Sequence, residues 1–227
     1  MFRYLILSEK SWHKELFSNL EVFFSNDKWF MIDSKKDFNL DNLKKINPTK
    51  IFIPHWSHII PKEIFDKYEC IVFHMTDLPF GRGGSPLQNL IVRGYKSTKI
   101  SALRVEEGLD TGDIYLKAPL ELYGTASEIF LRASGIIENM IFDIINNKIV
   151  AKPQVGEVVE FKRRKKEDSN LILLNELQEV YDYIRMLDCE GYPNGYIETN
   201  NLKFEFDNAS FDETQEIIKA NVRIFKK

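Results

Sequence analysis

The first third of the chain alternates short, wholly apolar runs with helix-spaced segments, and this pattern constrains the fold most. Phe2 to Leu7, Trp29 to Ile32, Ile51 to Ile53 and Ile71 to Phe73 read as strands. Between them, residues 9–20 carry Trp12, Leu16, Phe17 and Leu20 at helical spacing, and residues 38–46 suit a short helix closed by Asn47-Pro48. A run that is apolar along its length buries both faces, as strands of a parallel sheet do. Strand–helix alternation with short connections therefore predicts an α/β fold with a mainly parallel sheet. Ligands of such sheets bind beyond the carboxyl ends of the strands, here Pro54-His55-Trp56 and His74-Met75-Thr76. The loop after the first strand, Ser8-Glu9-Lys10-Ser11, has no glycine, which argues against a conventional dinucleotide site there.

Residues 99–105 and Ile114 to Leu120 suit two strands of a hairpin with a long, turn-rich loop. Residues 125–146 form the strongest amphipathic helix, with Thr125 or Ser127 as cap and Glu128 in the first turn. The run Phe161-Lys162-Arg163-Arg164-Lys165-Lys166 reads as a solvated charged segment. A helix at about 173–187, a hairpin of Asn194–Thr199 with Leu202–Phe206, and a strand over 217–225 follow. The expected division is a core over residues 1–170 and a small extension over 171–227. The extension's hairpin could pair across a homodimer or cap its own subunit.

Charge and cysteine content limit the chemistry. The chain has 31 basic and 34 acidic residues, net charge −3, which gives no support to binding nucleic acid mainly through phosphates. Cys70 and Cys189 form no CxxC pair, and His55 and His58 lack a matching ligand set, so no metal is expected. No stretch has the length of a membrane span or the form of a signal segment, so the expected location is cytoplasmic, with no membrane partner.

The chemistry points to residues 71–94, IVFHMTDLPFGRGGSPLQNLIVRG. A histidine ends an apolar strand and a glycine-rich loop follows; Gly108-Leu109-Asp110-Thr111-Gly112-Asp113 comes later. A histidine and an aspartate on adjacent loops can act as an acid–base pair. His74-Met-Thr-Asp-Leu-Pro79, Arg82-Gly-Gly-Ser-Pro86 and Gly108-Leu-Asp-Thr-Gly-Asp113, in this order and spacing, resemble the signature of the folate-dependent formyltransferases.

The resemblance covers roughly residues 50–200 and implies a Rossmann-like core. It implies N10-formyltetrahydrofolate as donor co-substrate and an amine as acceptor. His74 and Asp113 carry over as catalytic residues. The family's asparagine, two residues before the histidine, is replaced by Val72; His55 is the expected substitute donor. The resemblance further implies that Pro54, Trp56, Glu106, Leu109 and Asp110 hold the folate. Thr76, Phe80, Gly81, Arg82 and Gly83 would face the acceptor. The methionyl-tRNA branch usually adds a basic domain, so the short acidic chain suggests a nucleotide-linked amino sugar, of the UDP-4-amino-4,6-dideoxy type. A dTDP-amino sugar, aminoacyl-tRNA, or an idle binding homologue motivated by Val72 are the alternatives.

Overall fold

The computed structural model describes residues 1–227. The elements in chain order are β1 (Arg3–Ser8), α1 (His13–Phe23), β2 (Lys28–Ile32), α2 (Leu40–Ile46), β3 (Lys50–His55), α3 (Lys62–Phe65) and β4 (Glu69–His74). They are followed by β5 (Phe80–Gly83), α4 (Pro86–Ile91), β6 (Ser97–Arg104), β7 (Ile114–Glu121), α5 (Ala126–Asn146) and β8 (Val159–Phe161). The chain ends with α6 (Leu177–Arg185), β9 (Gly195–Glu198), β10 (Leu202–Asp212) and β11 (Ile217–Lys226).

The main sheet has the order β2-β1-β3-β4-β6-β7. Its first four strands are mutually parallel, and β6 runs antiparallel to β4. The apolar runs sit at its centre for the expected reason. Leu5, Ile6, Leu7, Ile51, Phe52, Ile53 and Ile71 are almost wholly buried, so both faces of β1 and β3 are covered. One face packs a cluster containing Leu43, Phe38, Ile60 and Ile64. Burying each such side chain contributes about 1.5–3 kcal/mol. The parallel half therefore holds the carboxyl ends of β1, β3 and β4 in fixed register.

The chain forms two compact units. One comprises Met1–Arg82, Thr98–Leu120 and Leu131–Glu160; the other comprises Gly83–Ser97, Glu121–Phe130 and Phe161–Lys227. The single cut at residue 170 expected from the sequence gives way to interleaved segments. Hydrogen bonds explain the second unit's composition: Gln88 Nε2 donates to Met186 O at 3.1 Å and Ser127 Oγ to Asp188 O at 2.9 Å. Arg185, buried with Asp182 at 2.6 Å, donates to the carbonyls of Leu122 and Gly124. The basic run is also tied down, since Asn89 Nδ2 donates to Lys162 O and Arg164 N to Ser85 Oγ. In the same unit β9, β10 and β11 form an antiparallel sheet, as the hairpin pattern predicts. The helix expected from 173 starts only at Leu177. Before it the chain turns, with the Ile172 N–H on Asn170 Oδ1 at 3.0 Å and Leu174 N on Leu171 O at 3.1 Å.

The strongest helix signal resolves its own cap. Thr125 N donates to Glu128 Oε2 at 2.8 Å and Glu128 N to Thr125 Oγ1 at 3.3 Å, a reciprocal capping box. Thr125→Ala is expected to cost about 1 kcal/mol, a fall of roughly 2–4 °C in Tm for a chain of this size, read in a thermal melt.

Candidate functional site

His74 is the last residue of β4, so a strand held in register on both sides delivers its ring. The residue is only 7% exposed. Its Nε2 lies 2.7 Å from Gly81 O. A carbonyl only accepts, so Nε2 carries the hydrogen and Nδ1 is the other reactive position. The Gly81 carbonyl is placed by its loop. Thr76 Oγ1 donates to it at 3.3 Å, Ser101 Oγ donates to Thr76 O at 2.7 Å, and Leu78 N donates to Ser101 Oγ at 3.2 Å. Gly81 adopts φ 79°, a left-handed conformation that favours glycine.

Nδ1 of His74 faces the Asp110 carboxylate at 3.6 Å, and both side chains are close to nine-tenths buried. The pair expected from the sequence is His74 with Asp113; the carboxylate in contact with His74 here is that of Asp110, while the backbone carbonyl of Asp113 accepts the Arg104 N–H at 2.9 Å just before β7. Asp110 stands in the preceding turn at φ 54°, a conformation that aspartate tolerates better than most residues. Gly112 between them has no room for a side chain, because a Cβ would lie 1.9 Å from Arg104 O.

A second set of contacts joins the two loops. Arg82 Nε and a terminal guanidinium nitrogen donate to Gln154 Oε1 at 3.2 and 2.8 Å. Gln154 Nε2 donates to Asp110 O and Gly112 O, each at 2.8 Å. Nothing in the pattern around Gln154 marked it, because it lies in an otherwise exposed connection.

The other expected residues fall in several environments. Pro54 is buried within β3. Trp56 packs edge-to-face on Phe38 and His58, with ring centroids 5.8 and 5.4 Å apart, against the core cluster. Glu106 and Leu109 are exposed. Thr76 is wholly buried, with its hydroxyl donating to Gly81 O. Phe80 is half-buried. Gly83 belongs to the second unit, where a Cβ would meet Phe161 O at 2.4 Å.

His55 ends β3. Ile53 pairs with Val72, so His55 occupies the strand position corresponding to His74 two residues further on. Its ring meets that of Trp12 edge-to-face at 6.2 Å. Burial, and then the nearby Lys10 cation, lower its pKa to about 4. His13, hydrogen-bonded through Nδ1 to Ser8 Oγ at 2.7 Å, is lowered to about 3 by burial, His55 and Lys10. Both imidazoles are neutral at physiological pH. Val72 packs against the apolar cluster and supplies no donor.

A cavity of about 320 Å³ lies at the other end of β4, lined by Phe65, Tyr68, Glu69, Cys70, Arg104 and Val105 among others. It is distinct from the His74 end of the strand. No group of three or more His, Cys, Asp or Glu residues converges as a metal site, and no helix is long and apolar enough to cross a membrane.

The architecture has known relatives. Residues 13–133 match the formyl transferase family model and residues 166–225 that of the methionyl-tRNA formyltransferase C-terminal domain. A methionyl-tRNA formyltransferase from Campylobacter lari is 32% identical over 179 residues, which cover 77% of this chain and 58% of the relative. The chain thus spans less than two thirds of that curated relative. A solved structure named methionyl-tRNA formyltransferase from Clostridium thermocellum is 48% identical, with TM-score 0.96 and full coverage of both chains. A sugar N-formyltransferase from Shewanella, 16% identical with TM-score 0.69 over 88% of this chain and 94% of its own, shares the fold. The motif order, the His74 strand end and these matches agree, and the chain belongs to the formyl transferase family.

Proposed function

We propose that this chain transfers a formyl group from N10-formyltetrahydrofolate to a primary amine, with the α-amino group of methionyl-tRNA as acceptor. The buried His74–Asp110 pair at a strand's carboxyl end, in a chain of this family, carries the proposal. The names of the Clostridium and Campylobacter relatives support the acceptor. The expectation of an amino-sugar acceptor without nucleic acid rested partly on length. Length no longer separates the two, since the Clostridium relative is matched end to end. A nucleotide-linked amino sugar is the second reading, favoured by the excess of acidic over basic residues, 34 to 31.

The neutral amine attacks the formyl carbon and forms a C–N bond, and the carbonyl electrons move onto oxygen. His74, with Asp110 beside Nδ1, takes the amine proton. The tetrahedral oxyanion collapses, the bond to N10 of the folate breaks, and that nitrogen receives a proton. His55, a neutral imidazole with one N–H, is the donor to the oxyanion in place of the side chain absent at Val72.

The test supplies N10-formyltetrahydrofolate with methionyl-tRNA, UDP-amino sugars and dTDP-amino sugars, and reads formylated product by mass. Formyl-methionyl product, at a rate that falls steeply with salt, is the expected result. Product on a sugar alone would establish the second reading. Donor binding with no formylated amine would leave an idle homologue and sink both.

A further inference from the structure

We propose that Gln154 is a positioning residue for the reaction: its side-chain amide clamps the Asp110 turn to the loop that follows His74. This rests on the formyl-transfer reading above. The amide has two acceptor sites and two donor hydrogens. Arg82 fills the acceptor side twice, and the Asp110 and Gly112 carbonyls take both hydrogens. A flipped amide would set NH₂ against the guanidinium and oxygen against two carbonyls, so only one orientation fits. Arg82 follows Gly81, whose carbonyl holds His74 Nε2; Asp110 faces His74 Nδ1. Gln154 therefore joins the two chain segments that grip opposite sides of the same imidazole.

The connection carrying Gln154 is itself anchored. Two residues earlier, Lys152 exchanges both backbone hydrogen bonds with Ile114, at 2.8 and 2.9 Å. Further along, Val159 N donates to Pro79 O at 3.3 Å, and Gly156 lies beside the Pro79 ring. Lys152, Pro153, Val155, Gly156, Glu157 and Val158 are all exposed, whereas Gln154 is drawn inward. Burial of an apolar body does not explain this; the four hydrogen bonds do.

Two variants separate positioning from folding. Gln154→Leu removes every hydrogen bond. Gln154→Glu keeps the acceptor pair for Arg82 but loses the two donors to the Asp110 turn. Because Gln154 is only half-buried, water can reach the freed carbonyls and the protein should stay folded. In both variants kcat is expected to fall about 10–100-fold through misplacement of Asp110, with tetrahydrofolate affinity unchanged. The His74 imidazole NMR signals should move in both, in the direction produced by Asp110→Asn, while those of His13 stay. Unchanged kcat or unmoved His74 signals would overturn the proposal. A full effect of Gln154→Leu with none from Gln154→Glu would also overturn it, assigning the role to Arg82 alone. If wild type formylates no amine, the functional reading fails, yet the His74 signals still decide the clamp. Should Gln154→Leu not fold, the Gln154→Glu signals decide.

Discussion

Asp110→Asn is expected to lower kcat/KM for formyl transfer by about 10²–10⁴-fold, the range for loss of a general acid–base function, whereas Asp113→Asn leaves it within about threefold. The contrast follows from geometry: Asp110 is 3.6 Å from His74 Nδ1, and Asp113, the residue before β7, has its backbone carbonyl bonded to Arg104 N. Asn keeps the size of the side chain, and the backbone carbonyl of residue 110 still accepts from Gln154, so the turn survives. His74→Gln should match or exceed the Asp110 loss. His55→Ala should cost about 10²–10³-fold in kcat, as removal of one oxyanion donor does. Steady-state rates with a fixed acceptor test the series. Equal losses at Asp110 and Asp113 would refute the pairing, and full turnover in His55→Ala would remove His55 as the donor.

Acidification should destabilise the fold well above the carboxylate range. His13 and His55 have native pKa values lowered to about 3 and about 4, against 6.5 for a free imidazole. Burial is the main cause for both; Lys10 adds to the shift at each, and His55 adds to that of His13. The unfolded chain therefore binds more protons than the native one below about pH 6.5. The sign follows: stability is unaffected above pH 6.5 and falls as pH drops toward 4. Each histidine contributes a slope of about 1.4 kcal/mol per pH unit, so the pair gives roughly 2.7. Glu69, whose burial is outweighed by its bonds to Lys50 and Tyr115, loses its stabilisation only at lower pH. Urea midpoints between pH 7.5 and 4.5 measure the slope. His13→Asn, which keeps a polar nitrogen or oxygen near Ser8, should about halve it. A flat profile between pH 6.5 and 4.5 would mean that these rings are not held neutral.

Much of the scaffold was legible because it depends on period and burial. The runs at Leu5, Ile51 and Ile71 had to be central strands, since no half-exposed strand is apolar throughout. The α5 periodicity and its Thr125–Glu128 box were local features, and Asn47 closed α2 in a left-handed conformation as its position suggested. Other features were hidden because they arise between distant residues. Residues 83–97 and 121–130 joined the C-terminal unit through bonds to carbonyls far along the chain. The bond of the buried Thr76 hydroxyl to Gly81 O and the packing of the partly buried Trp56 on Phe38 and His58 are likewise contacts that residue type does not reveal.

By itself, the sequence determined the parallel half-sheet, the position of His74 at its carboxyl end and the family of the chain. Those rest on hydrophobic burial and on contiguous motifs, both of which act along the chain. Only the tertiary structure decided that Asp110 rather than Asp113 meets His74, and that Gln154 ties their loops together. Two aspartates three residues apart in one turn are equivalent in composition. Which one reaches a buried imidazole is set by backbone direction, and backbone direction there is set by the β6–β7 ladder and a glycine too crowded to carry a side chain.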